Sequence, residues 1–296
     1  MNSINTTKPK ILIKYVPHGI DSTKYFPTEV PDEFRKHILG SKEYDFVLFW
    51  SNRNIKRKQP ADVIYAYKLF CDEIGKEKAD KTCLIMHTRP IDENGTDLYA
   101  VVDAVASECN VIFSEQNLDQ TQLNYLYNIA DATINIANNE GFGLTTAESV
   151  MAGTPIIVNV TGGLQDQCGF RIDGKLLTAD DYIEIGSLHN RREWSDKVTW
   201  GEWVIPIWSA AQSLAGSVTT PYIFDDRVDL VDTKDAILQM YNIPTDQRQV
   251  SGRAGREVFI TNMGLSSSNM CEQMISGIEE TIQNWKPKNR YEIYKM

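Results

Sequence analysis

Apolar runs and amphipathic stretches alternate along the first half of the chain. "FVLFW" (Phe46 to Trp50) is followed by a stretch from Pro60 in which Val63, Ile64, Tyr67, Phe70, Cys71 and Ile74 recur at three- and four-residue spacing. An unbroken apolar run suits a strand buried on both faces, and the wider spacing lays one apolar stripe along a helix. Pro60 falls in that helix's first turn, where its missing N–H is not needed. The rhythm continues with "CLIMH" (Cys83 to His87), a helix from Asp97, "VIF" (Val111 to Phe113), and a helix over Asp119 to Ala130 with Leu123, Leu126 and Tyr127 inward. After these come "ATINIA" (Ala132 to Ala137), a short helix ending at Ala152, and "PIIVN" (Pro155 to Asn159). Five strands and four helices predict an α/β fold, a doubly wound parallel sheet of the Rossmann-like kind. Further on, "DTKD" from Asp232 reads as the cap of another helix, and "FDDRVD" (Phe224 to Asp229) as the approach to it.

Composition narrows the classes. With 296 residues and 42% hydrophobic positions the chain can fill a core. No apolar run approaches the roughly 20 residues that cross a bilayer, and "MNSINTTKPK" has no signal-peptide core, so the cytoplasm is the default expectation, with peripheral membrane contact left open. Five scattered cysteines without C-x-x-C spacing suggest neither a disulfide framework nor a zinc site. The four histidines lie far apart and no P-loop or G-x-S-x-G is present, so no metal site and no nucleophilic triad are expected. "DENGTD" (Asp92 to Asp97) lacks the ligand order of a calcium loop and reads as a polar turn. A formal charge of −10 makes nucleic acid an unlikely partner and favours small molecules.

The chemistry concentrates in "NNEGFGLTTAESVMAGTPIIVNVTGG", Asn138 to Gly163. It follows a strand's carboxyl end, where open α/β sheets hold ligands. Gly141 and Gly143, flanking Phe142, allow backbone to approach a ligand, and the N–H groups near Leu144, Thr145 and Thr146 suit an anion such as a phosphate. Glu140 and Glu148 cannot bind phosphate, so they are expected to face hydroxyls, Glu140 those of a sugar and Glu148 those of a ribose. On spacing alone, a tight turn with two solvated helix-start carboxylates reads equally well.

The pattern E-x-F-G, a second glutamate, "MAGTP" and a later Gly-Gly resembles the donor-binding signature of the retaining glycosyltransferases of family four, the glycogen synthase-like group with the GT-B fold. The resemblance extends upstream through "YVPHGIDSTKYFP", "FVLFWSNRNIKRKQPADVIYAYKLF" and "NVIFSEQNLDQTQLNYLYNIADATINIANNEGFG", and more weakly to "WVIPI" (Trp203 to Ile207) as the family's final strand. It implies a C-terminal donor-binding domain that takes a nucleoside diphosphate sugar, UDP- or GDP-linked, and transfers the sugar with retention and without a catalytic metal. It places Arg53 and Lys58 on the donor pyrophosphate beside Lys56 and Arg57, Glu140 on the sugar, and Leu118 among the nucleotide contacts. No separate cofactor is implied.

The whole chain then reads as a single donor-binding domain: an entry strand and linker (1–26), the α/β core (27–163), an α/irregular insert unlike the family (164–222), and closing C-terminal helices (223–296). The family's N-terminal acceptor domain is expected to be absent. That expectation leaves three alternatives: a fragment, a separate acceptor-binding chain or self-association, and an acceptor site rebuilt from the insert. An apolar start (Ile11, Leu12, Ile13, Tyr15, Val16) and an aromatic end (Trp285, Tyr291, Tyr294) are expected to mark a docking surface. A nucleotide-sugar-binding module without activity of its own is the alternative to a transferase.

Overall fold

The computed structural model describes residues 11–178, 180–182 and 194–285. Tyr291, Tyr294 and residues 183–193 of the expected insert lie outside that description.

In chain order the elements are α1 (Asp32–Leu39), β1 (Phe46–Ser51), α2 (Pro60–Ile74), α3 (Lys76–Ala79), β2 (Thr82–His87), α4 (Leu98–Val105), β3 (Val111–Ser114), α5 (Gln120–Ile129), β4 (Ala132–Asn135), α6 (Leu144–Met151) and β5 (Ile156–Asn159). There follow β6 (Arg171–Ile172), β7 (Lys175–Leu176), β8 (Val204–Ile207), β9 (Ala211–Leu214), β10 (Phe224–Arg227), α7 (Leu230–Asn242), α8 (Thr245–Thr261) and α9 (Ser267–Asn284). All five strands expected in the core are present. They form one parallel sheet with the "WVIPI" strand, in the order β3-β2-β1-β4-β5-β8.

Every residue of β1 is buried, because the sheet is covered on both faces. Alternation along the strand divides the core into two layers. Val47 and Phe49 pack with Leu126, Tyr127, Ala147, Val150 and Phe259, from α5, α6 and α8. Phe46, Leu48 and Trp50 pack with Val63, Ile64, Tyr67, Phe70, Ile237 and Met240, from α2 and α7. The amphipathic stripe of α2 therefore lies where its spacing put it. Asp119 and Gln122 form a capping box at α5, and Asp97 caps α4 by accepting from Ala100 N at 3.1 Å.

The second half departs from expectation in three places. Among its described residues, 164–222 is largely irregular but carries short strands as well: it supplies the sheet's sixth strand, the β6–β7 hairpin and β9. "FDDRVD" does not simply lead into a helix, because Phe224 to Arg227 is β10, paired antiparallel with β9. The helix that follows starts at Leu230, capped by Asp229 rather than Asp232, since the Asp229 carboxylate accepts from Val231 N at 2.7 Å. In α9 no residue is buried; Lys14 pairs with Glu280 at 2.5 Å and lays the 11–16 segment along it. Among the described residues no helix is long and apolar enough to cross a membrane.

Candidate active site

The strand order reverses at β1. From there the chain moves outward to β2 and β3, then returns across β1 to place β4, β5 and β8 on its other side. The loops leaving β1 and β4 diverge from adjacent carboxyl ends, which is the cleft where such sheets take ligands.

The β1 loop is stiffened from beneath. Asn54, fully buried, donates from Nδ2 to Pro90 O (2.8 Å) and Thr96 O (2.7 Å), tying the loop to the polar turn at 92–97. A 3-10 turn, Lys56–Lys58, then leads into α2 and directs Arg57 and Lys58 toward the β4 loop. The two loops are clamped where Asn138 N donates to Arg57 O at 2.8 Å. Arg57 Nη1 donates to Asn139 O at 3.0 Å and to Glu140 Oε2 at 3.4 Å, and the Lys58 ammonium donates to the same carboxylate oxygen. Burial lowers the Lys58 pKa; the Glu140 carboxylate opposes that shift and the Arg57 charge adds to it.

A third loop closes over Glu140. Gly163 N donates to Glu140 O at 3.0 Å, and a Cβ at Gly163 would stand 2.3 Å from Gly141 O, so only glycine lets the backbones pass this closely. Gln167 Nε2 holds the turn from behind, donating to Phe142 O (2.6 Å) and Gly143 O (2.9 Å). Gly143 takes the left-handed conformation (φ 88°) and begins α6 with no side-chain cap, leaving the first-turn N–H groups at Leu144, Thr145 and Thr146 without a capping acceptor. Leu144 is exposed, Thr145 and Phe142 are half-buried, and the His18 ring meets Phe142 edge-on at 4.9 Å.

Glu148, one turn into α6, accepts from Tyr127 Oη at 2.7 Å and from Tyr25. Burial raises its pKa and the two tyrosine hydroxyls partly offset this. Leu118 is half-buried against the same core layer as Tyr25, Tyr127 and Phe142. The structure thus brings Lys58, Glu140, the glycine turn and the α6 start together, with Glu148 behind them.

Arg53 stands apart from this group. Its guanidinium pairs with Asp92 at 2.9 Å, which holds the Asp92 carboxyl down at about 2, and its side chain is 63% exposed. Arg57 occupies the position beside Glu140. The sequence offers both arginines within one basic run, and only the direction of the 3-10 turn chooses between them.

Sequence reasoning missed a partly buried polar network beneath the turn. Asp225 accepts from Asn139 Nδ2 (2.5 Å) and Asn138 Nδ2 (3.3 Å), while Asp226, 3% exposed, accepts from Thr161 Oγ1 (2.7 Å) and Gln212 Nε2 (2.8 Å). Adjacent aspartates closing an uncharged run were the available signal. Among the described residues no three His, Cys, Asp or Glu side chains converge as metal ligands would. A cavity of about 920 Å³ lies at the opposite, amino end of the sheet, lined by Val47, Asp131, Thr154 and Arg248 among others, and borders none of these loops.

The family described as "Glycosyl transferases group 1" matches residues 31–185, a span that runs past Gly163 into the segment expected to be unlike the family. The fold is similar to that of sucrose-phosphate synthase from Thermosynechococcus elongatus (TM-score 0.60, 16% identity, covering 90% of this chain and 52% of that one). It is also similar to a glycosyltransferase from Rickettsia africae (TM-score 0.60, 13% identity, 91% and 57%). The C-terminal domain of a group 1 family glycosyl transferase from Francisella tularensis aligns at TM-score 0.52 and 14% identity, covering 82% of this chain and 98% of that domain. The chain spans about half the length of the first two structures. Comparison with curated proteins gives no match.

Proposed function

The chain belongs to the group 1 glycosyl transferases, and from that premise we propose that it binds a nucleoside diphosphate sugar, UDP- or GDP-linked, as the donor-binding C-terminal half of a retaining, metal-independent transferase of family four. One observation carries the reading: Lys58 and Arg57 converge on Glu140 at the sheet's switch point, next to the uncapped start of α6.

The roles follow from charge. The diphosphate would lie against the α6 N–H groups and take the Lys58 ammonium and Arg57 guanidinium as counter-charges, with Arg53 joining if it leaves Asp92. These cations would stabilise the negative charge that develops as the sugar–phosphate bond breaks, and being held beforehand they need no reorganisation at that moment. Glu140, released from Lys58, would accept hydroxyls of the sugar; Glu148, fixed by Tyr25 and Tyr127, those of the ribose; and Leu118 would border the base. The retaining assignment rests on the resemblance of the Glu140-to-Gly163 pattern to the family-four donor signature.

A second reading is that this chain binds the donor and transfers sugar only with a separate acceptor-binding chain or as a homo-oligomer. Incubation with UDP- and GDP-linked sugars, with and without glycosyl acceptors, separates the two. Release of nucleoside diphosphate or transfer by the chain alone supports an enzyme, and donor binding without turnover supports the module. Failure to bind either donor class overturns both.

A further inference from the structure

The last residues of three neighbouring strands stand in one row: Ser51 of β1 pairs with His87 of β2, and His87 with Ser114 of β3. Residues paired across adjacent strands share a face, as do residues two apart along a strand. Phe49 and Ile85, two positions before Ser51 and His87, belong to the layer that holds Tyr127, Leu118 and Phe142. The row therefore lies at the carboxyl rim on the side of Glu148. It is tied to that residue, because the Tyr127 hydroxyl that donates to Glu148 also engages Ser51.

The sheet supplies the spacing. On the donor reading the diphosphate sits at the α6 start and the ribose at Glu148, whose partner Tyr127 stands over β1 with its ring 5.3 Å from that of Phe49. The next strand in that direction is β2, roughly 4.8 Å on, a step comparable to that from a ribose to its base. A base carried away from the phosphates by a ribose at Glu148 falls on His87, with Leu118 against the same layer.

The imidazole is held in one state. His87 Nδ1 and Ser114 Oγ are 3.1 Å apart, and the Ser114 carbonyl also accepts from the ring. A carbonyl only accepts, so the proton of the neutral ring belongs on Nδ1, and burial lowers the His87 pKa and keeps the ring neutral at pH 7. Nε2 is then a bare acceptor without a partner among the described residues, on a side chain that keeps part of its surface in solvent. The carboxylates of the following loop are engaged elsewhere. Glu115 accepts from the Tyr99 hydroxyl, Tyr99 meets Phe113 in the opposite layer, and Asp119 caps α5.

We propose that His87 reads the base of the donor, its Nε2 accepting the ring N–H of uracil, so that the donor is uridine-linked. The inference rests on the donor reading above and chooses between its two nucleotides. Uracil offers a single ring N–H between two carbonyls, which one neutral acceptor satisfies. Guanine offers a ring N–H and an amino group side by side, which call for a paired acceptor of the kind that Glu115, in the other layer, does not supply. Cytosine and adenine turn a bare ring nitrogen to the same place, acceptor against acceptor.

Calorimetric titration of the full chain with UDP, CDP, GDP and inorganic pyrophosphate tests this. UDP should bind roughly tenfold tighter than CDP or GDP, the scale of one hydrogen bond made against one left unmade. His87→Phe should bind UDP and CDP alike while keeping its pyrophosphate affinity, a split that a general loss of structure would not produce. His87→Gln, whose amide can turn either its oxygen or its nitrogen to the base, should also lose the preference. Equal binding of UDP and CDP by the unaltered chain, or GDP binding as tight as UDP, overturns the proposal and leaves the donor reading standing. A UDP preference that survives both variants overturns it as well, since another group would then read the base. If the unaltered chain binds none of the four ligands, the donor reading fails and the inference fails with it.

Discussion

Lys58 and Glu140, 82 residues apart in sequence, share a hydrogen bond at the point where the sheet's strand order reverses, with side chains 9% and 12% exposed. Neither element makes the pair alone. The 3-10 turn after β1 delivers the cation, the loop after β4 delivers the carboxylate, and the Asn138 N to Arg57 O bond sets their separation. On the proposed donor reading, the pair would hold a buried ammonium in readiness for an anion and keep a carboxylate where hydroxyls would arrive.

Burial lowers the Lys58 pKa below its ordinary 10.5, so this ammonium loses its proton before exposed lysines do as pH rises. Affinity for a nucleoside diphosphate should therefore be full at neutral pH and fall on the alkaline side at a pH below 10.5. Lys58→Arg should bind with a flat profile over that range, because a guanidinium stays charged. Titrations between pH 7 and 10 check both.

Asp92 and Arg53 supply a contrast. Arg53 is engaged outside the cluster, so Arg53→Ala should weaken diphosphate binding less than the roughly 1.5 to 3 kcal/mol expected for removing Arg57, whose hydrogen bonds already reach Glu140. Asp92→Ala frees Arg53 and should tighten diphosphate binding. Unchanged affinity in Asp92→Ala would show that Arg53 takes no part.

Glu148 is held by two tyrosines in a half-buried position, and its raised pKa means that it protonates at milder acid than a free carboxylate. Glu148→Gln should weaken nucleosides and nucleoside diphosphates alike, by about 1.5 to 3 kcal/mol, and leave inorganic pyrophosphate unaffected. In the unaltered chain the ribose-dependent part of affinity should fade as pH drops through that raised pKa. Pyrophosphate and nucleoside titrated in parallel make the distinction.

Asp166 provides a test on stability. Burial moves its carboxyl from 3.8 to about 6. Between those values the folded chain holds a proton that the unfolded chain has released, so stability declines as pH rises through this window and stays reduced above it. Asp166→Asn should remove the decline and raise stability at pH 7 by up to about 3 kcal/mol, read from denaturant midpoints at pH 4, 5, 6 and 7.

How much of this was legible in the sequence depends on the range of the interaction. β1, β2 and β5 were readable because a strand covered on both faces has to be apolar at successive positions, and α2 because one stripe has to face the sheet. Asp119 and Gln122 advertised their cap locally. Asp229 and Asp232 both stand at the start of α7 and offer the same side chain, so only the backbone distinguishes the cap. Asp225 and Asp226 looked like a helix approach because their partners, Asn139 and Thr161, are 86 and 65 residues away. Glu140 and the glycine turn were legible as a motif. The choice of Arg57 over Arg53 was not, since it depends on the course of three residues of 3-10 turn. Tyr25 and Tyr127 were invisible as partners of Glu148 for the same long-range reason.

The central claim is that Lys58 and Glu140 divide a nucleotide sugar between phosphate and sugar. Calorimetric titration of the unaltered chain, Lys58→Ala and Glu140→Gln with a nucleoside, its diphosphate and the matching diphosphate sugar tests it most directly. Lys58→Ala should lose about 1.5 to 3 kcal/mol for diphosphate and diphosphate sugar and almost nothing for the nucleoside, whereas Glu140→Gln should weaken the diphosphate sugar and leave the bare diphosphate nearly unaffected. Equal losses across all three ligands in either variant, or no diphosphate binding by the unaltered chain, would contradict the account.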